Sequence, residues 1–132
     1  MTKWLAMAAM LMACGANAAD WVSVGTEGDI EHFVDAGSLA RSGEIVRLTK
    51  RAVFREPHPM GDTPGMPLMK ETVGVVEDDC KRFQHRVVSL QLLGVDGKVL
   101  WDSGAMKRVW EAVDAGTPGR ATLDFVCSKT AK

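Results

Sequence analysis

From Val46 to Arg55 the chain alternates with a period of two. Val46, Leu48, Ala52 and Phe54 fall on one side with Lys50, while Arg47, Thr49, Arg51 and Arg55 fall on the other with Val53. Successive strand side chains point to opposite faces, so this pattern predicts a β-strand with one face in a core and one face wet and basic. DWVSVG and DIEHFVD predict two short strands around a turn at Gly25 to Gly28, and DAGSLARSGE reads as a polar connection. KETVGVVEDDC is strand-like. RFQHRVVSLQLL is too, but its inward parity shifts between Phe83 and the set Val88, Leu90 and Leu92, which places a bulge near Val87. In VDGKVLW, Asp96-Gly97 suits the positive φ angles of a tight turn, so Leu90 to Leu93 should pair antiparallel with Lys98 to Trp101.

Two segments break the period-two pattern. EPHPMGDTPGMPLM carries four of the five prolines and reads as a loop, because proline lacks the N–H that a sheet ladder needs. TPGRATLDFVCSK reads as a terminal helix with Thr117 as N-cap and Pro118 in the first turn. Leu123, Val126 and Cys127 lie at i, i+3 and i+4 and so share one helical face.

The first 18 residues have an export pattern: Lys3, then an uncharged apolar run from Trp4 to Ala13. The run is too short to span a bilayer, which takes about 20 residues. Ala16 and Ala18 fit a cut after Ala18, leaving residues 19–132 as a single domain. The competing cut within LMAC would instead leave Cys14 as the lipid anchor of an outer-membrane lipoprotein, but it puts the bulky Met12 where a small side chain is preferred. No second apolar segment follows, so no transmembrane segment is expected after the signal is removed.

Loss of the signal leaves Cys80 and Cys127 in a compartment that oxidises thiols, and they should pair. Glu77, Asp78 and Asp79 directly before Cys80 disfavour a reactive thiolate. The expected fold is α+β: a mainly antiparallel β-sheet with one C-terminal α-helix packed on it, joined to the sheet by this disulfide.

The order DWVSVG, FVDAGSLARSGEIVRL, a Pro-Gly loop, EDDC, GVDGKV, VWEAVDAGTPG and LDFVC resembles the surface-adhesin protein E family of exported bacterial proteins, over nearly the whole mature chain. The two cysteines fall where that family's bridge would lie. The resemblance implies a small domain, periplasmic or on the cell surface, which in pathogens displays surface for host matrix or serum proteins.

Composition narrows the chemistry. The whole chain carries a net charge of −1, so it lacks the basic excess of a nucleic-acid binder. His32 and His85 stand isolated on strands, with no nucleophile or metal-ligand spacing beside either, which argues against an enzyme and against a required cofactor. Glu77, Asp78 and Asp79 alternate across a strand and cannot converge on a cation.

Two binding hypotheses remain beside a purely structural envelope role. Arg47, Arg51 and Arg55, extended by Arg82 and Arg86, could form a strand face for an acidic glycan, phosphate or protein ligand, or could simply pair across strands with Glu77 or Asp79. His58, Met60, Met66 and Met69 offer an imidazole and three thioethers, soft ligands suited to copper in a periplasmic protein, although Met69 could equally start the following strand.

Overall fold

The computed structural model describes residues 18–131. Residues 1–17, which hold most of the expected export signal and the alternative anchor Cys14, lie outside the described residues.

The described chain runs β1 (Trp21–Glu27), β2 (Ile30–Asp35), a 3-10 turn (Ala36–Ser38), β3 (Ala40–Ser42), β4 (Ile45–Pro59), β5 (Leu68–Asp79), β6 (Gln84–Gly94), β7 (Val99–Asp102), β8 (Glu111–Ala112) and α1 (Pro118–Lys129). All pairings are antiparallel, in the order β1-β2-β4-β5-β6-β7, with β3 added to β4 and β8 to β6. This is the expected sheet with one C-terminal helix.

The alternation along β4 sorts its side chains as the sequence implied. Val46 and Leu48 are buried, and Arg47 between them is exposed. Val34, Val46, Leu48 and Val76 form the core with Val126 of α1. Each such side chain stabilises the fold by roughly 1.5–3 kcal/mol relative to exposure. At the N-terminus of α1 the Thr117 hydroxyl accepts from the Arg120 N–H at 3.2 Å. At its C-terminus Arg41 of β3 donates to the carbonyls of Cys127 and Thr130 at 3.3 and 3.0 Å, capping the negative end of the helix dipole. Cys80, just past β5, is disulfide-bonded to Cys127 on α1.

Local details confirm some expectations and correct others. Leu92 pairs with Trp101 across the Asp96-Gly97 turn, where Gly97 has φ +79°. The β5–β6 register slips between Val75 and Val76, leaving Val88 unpaired between Val87 and Ser89, so the bulge lies where the parity shift required it. The first hairpin, however, turns at Gly28-Asp29 and not from Gly25 to Gly28, because Thr26 and Glu27 still pair with β2. The proline-rich segment is also less of a loop than expected. β4 continues through Pro59, and His58 and Pro59 pair with Met69 and Leu68. This is possible because the ladder is interrupted between Val53 and His58, where β4 has extra residues and Pro57 needs to donate nothing.

Candidate functional site: the open face of the sheet

α1 covers one face of the sheet and leaves the opposite face open. Register assembles the polar cluster on that open face. Glu77 of β5 lies directly opposite Arg47 on β4 and Arg86 on β6. Directly opposed side chains on one face have Cβ atoms about 5 Å apart, close enough for a charge to sit between two of opposite sign. Glu77 Oε1 accepts from Arg86 Nε at 3.2 Å and lies 4.0 Å from Arg47 Nη2. Arg108, from the irregular connection between β7 and β8, adds a third guanidinium at 3.3 Å. Glu77 itself is 9% exposed, whereas the Arg47 and Arg108 side chains are about half exposed. Three cations thus share one carboxylate. Two positive charges are left over, and their N–H groups face solvent.

Trp110 closes the cluster on one side, with the Arg86 guanidinium 4.2 Å from its ring centroid. This stacking holds the guanidinium plane, which matters because a fixed fork is the geometry that grips carboxylate or sulfate. A second station lies further along the sheet. Arg51 Nε donates to Glu71 Oε2 at 2.7 Å, and its guanidinium lies 5.6 Å from Trp21 and 5.7 Å from Phe33. Between the stations Thr49, Val75 and Ser89 share one cross-strand row, and Val73 and Gln91 the next. The face therefore offers aromatic and arginine groups around a valine floor, a composition typical of contact surfaces.

Of the five arginines singled out from the sequence, the structure brings Arg47 and Arg86 together and places Arg51 on the same face. Arg55 is exposed far along β4, where its backbone binds Asp29 and Lys70, and its guanidinium has no polar partner among the described residues. Arg82 is not on a strand: it belongs to the turn before β6, where its N–H donates to Asp79 Oδ1 at 2.9 Å. The carboxylate of Asp79 caps that turn and so ends the strand alternation before Arg82. Arg108, Trp110, Trp21 and Phe33 were not singled out. The adjacency of Lys107-Arg108 to Trp110 was the only local hint, since these residues join the face through tertiary folding alone.

The His58, Met60, Met66 and Met69 segment forms the far end of the β4–β5 hairpin. His58 Nε2 is engaged by Asp29 Oδ2 at 3.1 Å, and its ring meets Phe54 edge-on at 4.9 Å. That hydrogen bond, the largest of several influences, holds the Asp29 carboxyl below the usual range. Met69 faces His58 across the strands, while Met66 is exposed on the loop. Among the described residues no group of three or more His, Cys, Asp or Glu side chains is placed to hold a metal ion. A cleft of about 610 Å³ lies between β1 and the start of α1. It is an open surface whose Arg120 is already tied to Asp124 at 3.0 Å.

The profile of the family described as Surface-adhesin protein E matches residues 21–128. Among solved structures, Haemophilus influenzae protein E superposes with a TM-score of 0.59 at 9% identity, covering 82% of this chain and 83% of that one. Its crystal form II gives 0.59 at 9% identity over 83% and 94%. Protein E from non-typeable Haemophilus influenzae gives 0.57 at 9% identity over 82% and 75%. At that identity the likeness is one of fold. No curated protein matches the chain.

Proposed function

We propose that this chain, which belongs to the surface-adhesin protein E family, is an adhesin-like binding protein that uses the open face of its sheet to engage an acidic extracellular macromolecule. Export with release after Ala18 is part of the reading, and lipidation at Cys14 is its alternative. The observation that carries the proposal is the Glu77 cluster: three guanidiniums on one carboxylate, with Trp110 stacked on Arg86. Glu77 fixes the arginines without neutralising them, so an incoming anionic chain meets donors already held in place. A host matrix protein is a partner of this kind, proposed from the family alone.

Heparin serves as the polyanionic probe. The Arg47→Ser, Arg108→Ser double variant should elute at clearly lower salt than a Lys81→Ser, Lys98→Ser control, which loses the same charge from exposed positions elsewhere. Equal elution of the two would mean that net charge alone governs retention, and would remove the open face as the site.

A further inference from the structure

Asp78 follows Glu77 on β5 and therefore points to the opposite face, under α1. Its cross-strand neighbours are Val46, which packs in the core with Val126 of the helix, and His85. The first turn of α1 lies over His85: a Cβ at Gly119 would come within 4.0 Å of His85 Nδ1. Asp78 is thus covered by the helix and is 3% exposed. Its Oδ2 has no hydrogen-bond partner among the described residues. A buried carboxylate without a partner is strongly disfavoured, whereas the neutral acid is tolerated far better.

The surroundings do little to rescue the charge. From β4, Lys50 attracts Asp78 but makes no ion pair with it within 4.0 Å among the described residues. From β2, His32 is held below its usual pKa mainly by burial and then by the Lys50 charge, with Glu27 acting in the opposite direction. From β6, His85 is turned to the exposed Glu111 at 3.6 Å. From α1 the buried side chains are Thr122, Leu123 and Val126, none of them titratable, and the Thr122 hydroxyl donates within the helix to the Pro118 carbonyl.

The two halves of α1 are held unequally. The C-terminal half is tethered by the Cys80–Cys127 bond and by Arg41. The N-terminal half rests on packing, including Leu123, and on the stacking of Arg120 over the exposed ring of Phe83 at 4.2 Å. We propose that α1 is a proton-controlled cover, seated while the Asp78 carboxyl is protonated and lifted at its N-terminal half, about the tethered C-terminal half, when that carboxyl ionises. Opening hydrates Asp78 and returns it to ordinary acidity, so proton loss and helix opening favour each other. Burial, opposed by Lys50, pushes the carboxyl up to about 7, which puts the transition in the range an exported protein meets.

Amide hydrogen exchange on the disulfide-bonded protein, corrected for the intrinsic pH dependence of exchange, tests this. Between pH 5.5 and 7.5 the protection of Thr122 and Leu123 should fall by about tenfold or more, while Leu48 in β4 holds. In Asp78→Asn the loss should vanish. Because His32 acts with the opposite sign, helix protection in that variant should hold or rise with pH. An equal fall at Leu48 and Leu123 would mean that the whole domain opens, and would overturn the cover. An unchanged fall in Asp78→Asn would overturn the assignment to this residue. Should the variant not fold, a carbon-13 titration of the wild-type Asp78 carboxyl decides: a midpoint near 7 supports the proposal, and one near the ordinary 3.8 overturns it.

Discussion

Glu77 and Asp78 are consecutive on one strand, both acidic and both nearly inaccessible, at 9% and 3% exposure. Glu77 faces three guanidiniums. Asp78 faces a helix, with one buried oxygen left without a hydrogen bond among the described residues. One step along the backbone separates the two faces of the sheet, and with them two opposite electrostatic situations. On the open face charge is retained because partners and solvent are both close. On the covered face it is retained only at a cost, and the proton becomes the partner. Burial alone therefore says little about a carboxylate; what lies opposite it in register decides its state.

The contrast depends on α1 staying on its face, so the largest effect should come from releasing it. Replacing Cys127 with Ser should cost about 4 kcal/mol on the chain-entropy account, with the loss read from the urea midpoint. A loss well under half that size would show that packing and Arg41 hold the helix without the bridge.

The next effect tests the covered face. The folded Asp78 carboxyl is raised above its unfolded value, so its contribution is fully present below about pH 4 and is lost as pH rises through about 7. His32 is lowered below 6.5, and its contribution is present above that value and lost as pH falls. Asp78 has the larger shift and should dominate. Unfolding free energy should drop by roughly 2 kcal/mol from pH 5 to pH 8 and become nearly flat in Asp78→Asn. A wild-type profile that rises over this interval would reverse the roles of the two faces.

The smallest of the three concerns Glu77. Glu77→Ala leaves three guanidiniums facing one another, but two of them are about half exposed and well screened. We expect a loss of about 1 kcal/mol at low ionic strength, shrinking with added salt. A loss that does not respond to salt would mean that Glu77 contributes by packing and not by charge.

Much of this architecture was legible along the chain. The alternation of Val46 to Arg55 separated a core face from a basic one, and Asp96-Gly97 marked a hairpin. Thr117-Pro118 marked the helix start, and the parity slip before Leu90 marked the bulge. All are local signals, carried by backbone preference or by the two-residue repeat. The pairing of Cys80 with Cys127 was legible for a different reason: on the expectation that the export signal is removed with Cys14, only these two cysteines are left to pair. The arginine site was only half visible. Arg47 and Arg51 could be placed on one face, but Arg55 lies away from the cluster and Arg82 turned out to sit in a turn.

The chain by itself determined the alternation of side chains along β4, the Asp96-Gly97 turn, the start of the helix, and that two sulfurs would meet. Only the tertiary structure decided that Glu77 lies between Arg47 and Arg86, that Arg108 and Trp110 fold back beside them, and that Asp78 lies beneath α1. Register between strands is chosen by the packing of the whole sheet, and a shift of one residue would exchange the faces on which Glu77 and Asp78 lie. No local preference encodes that choice, because its energy comes from contacts between segments distant along the chain.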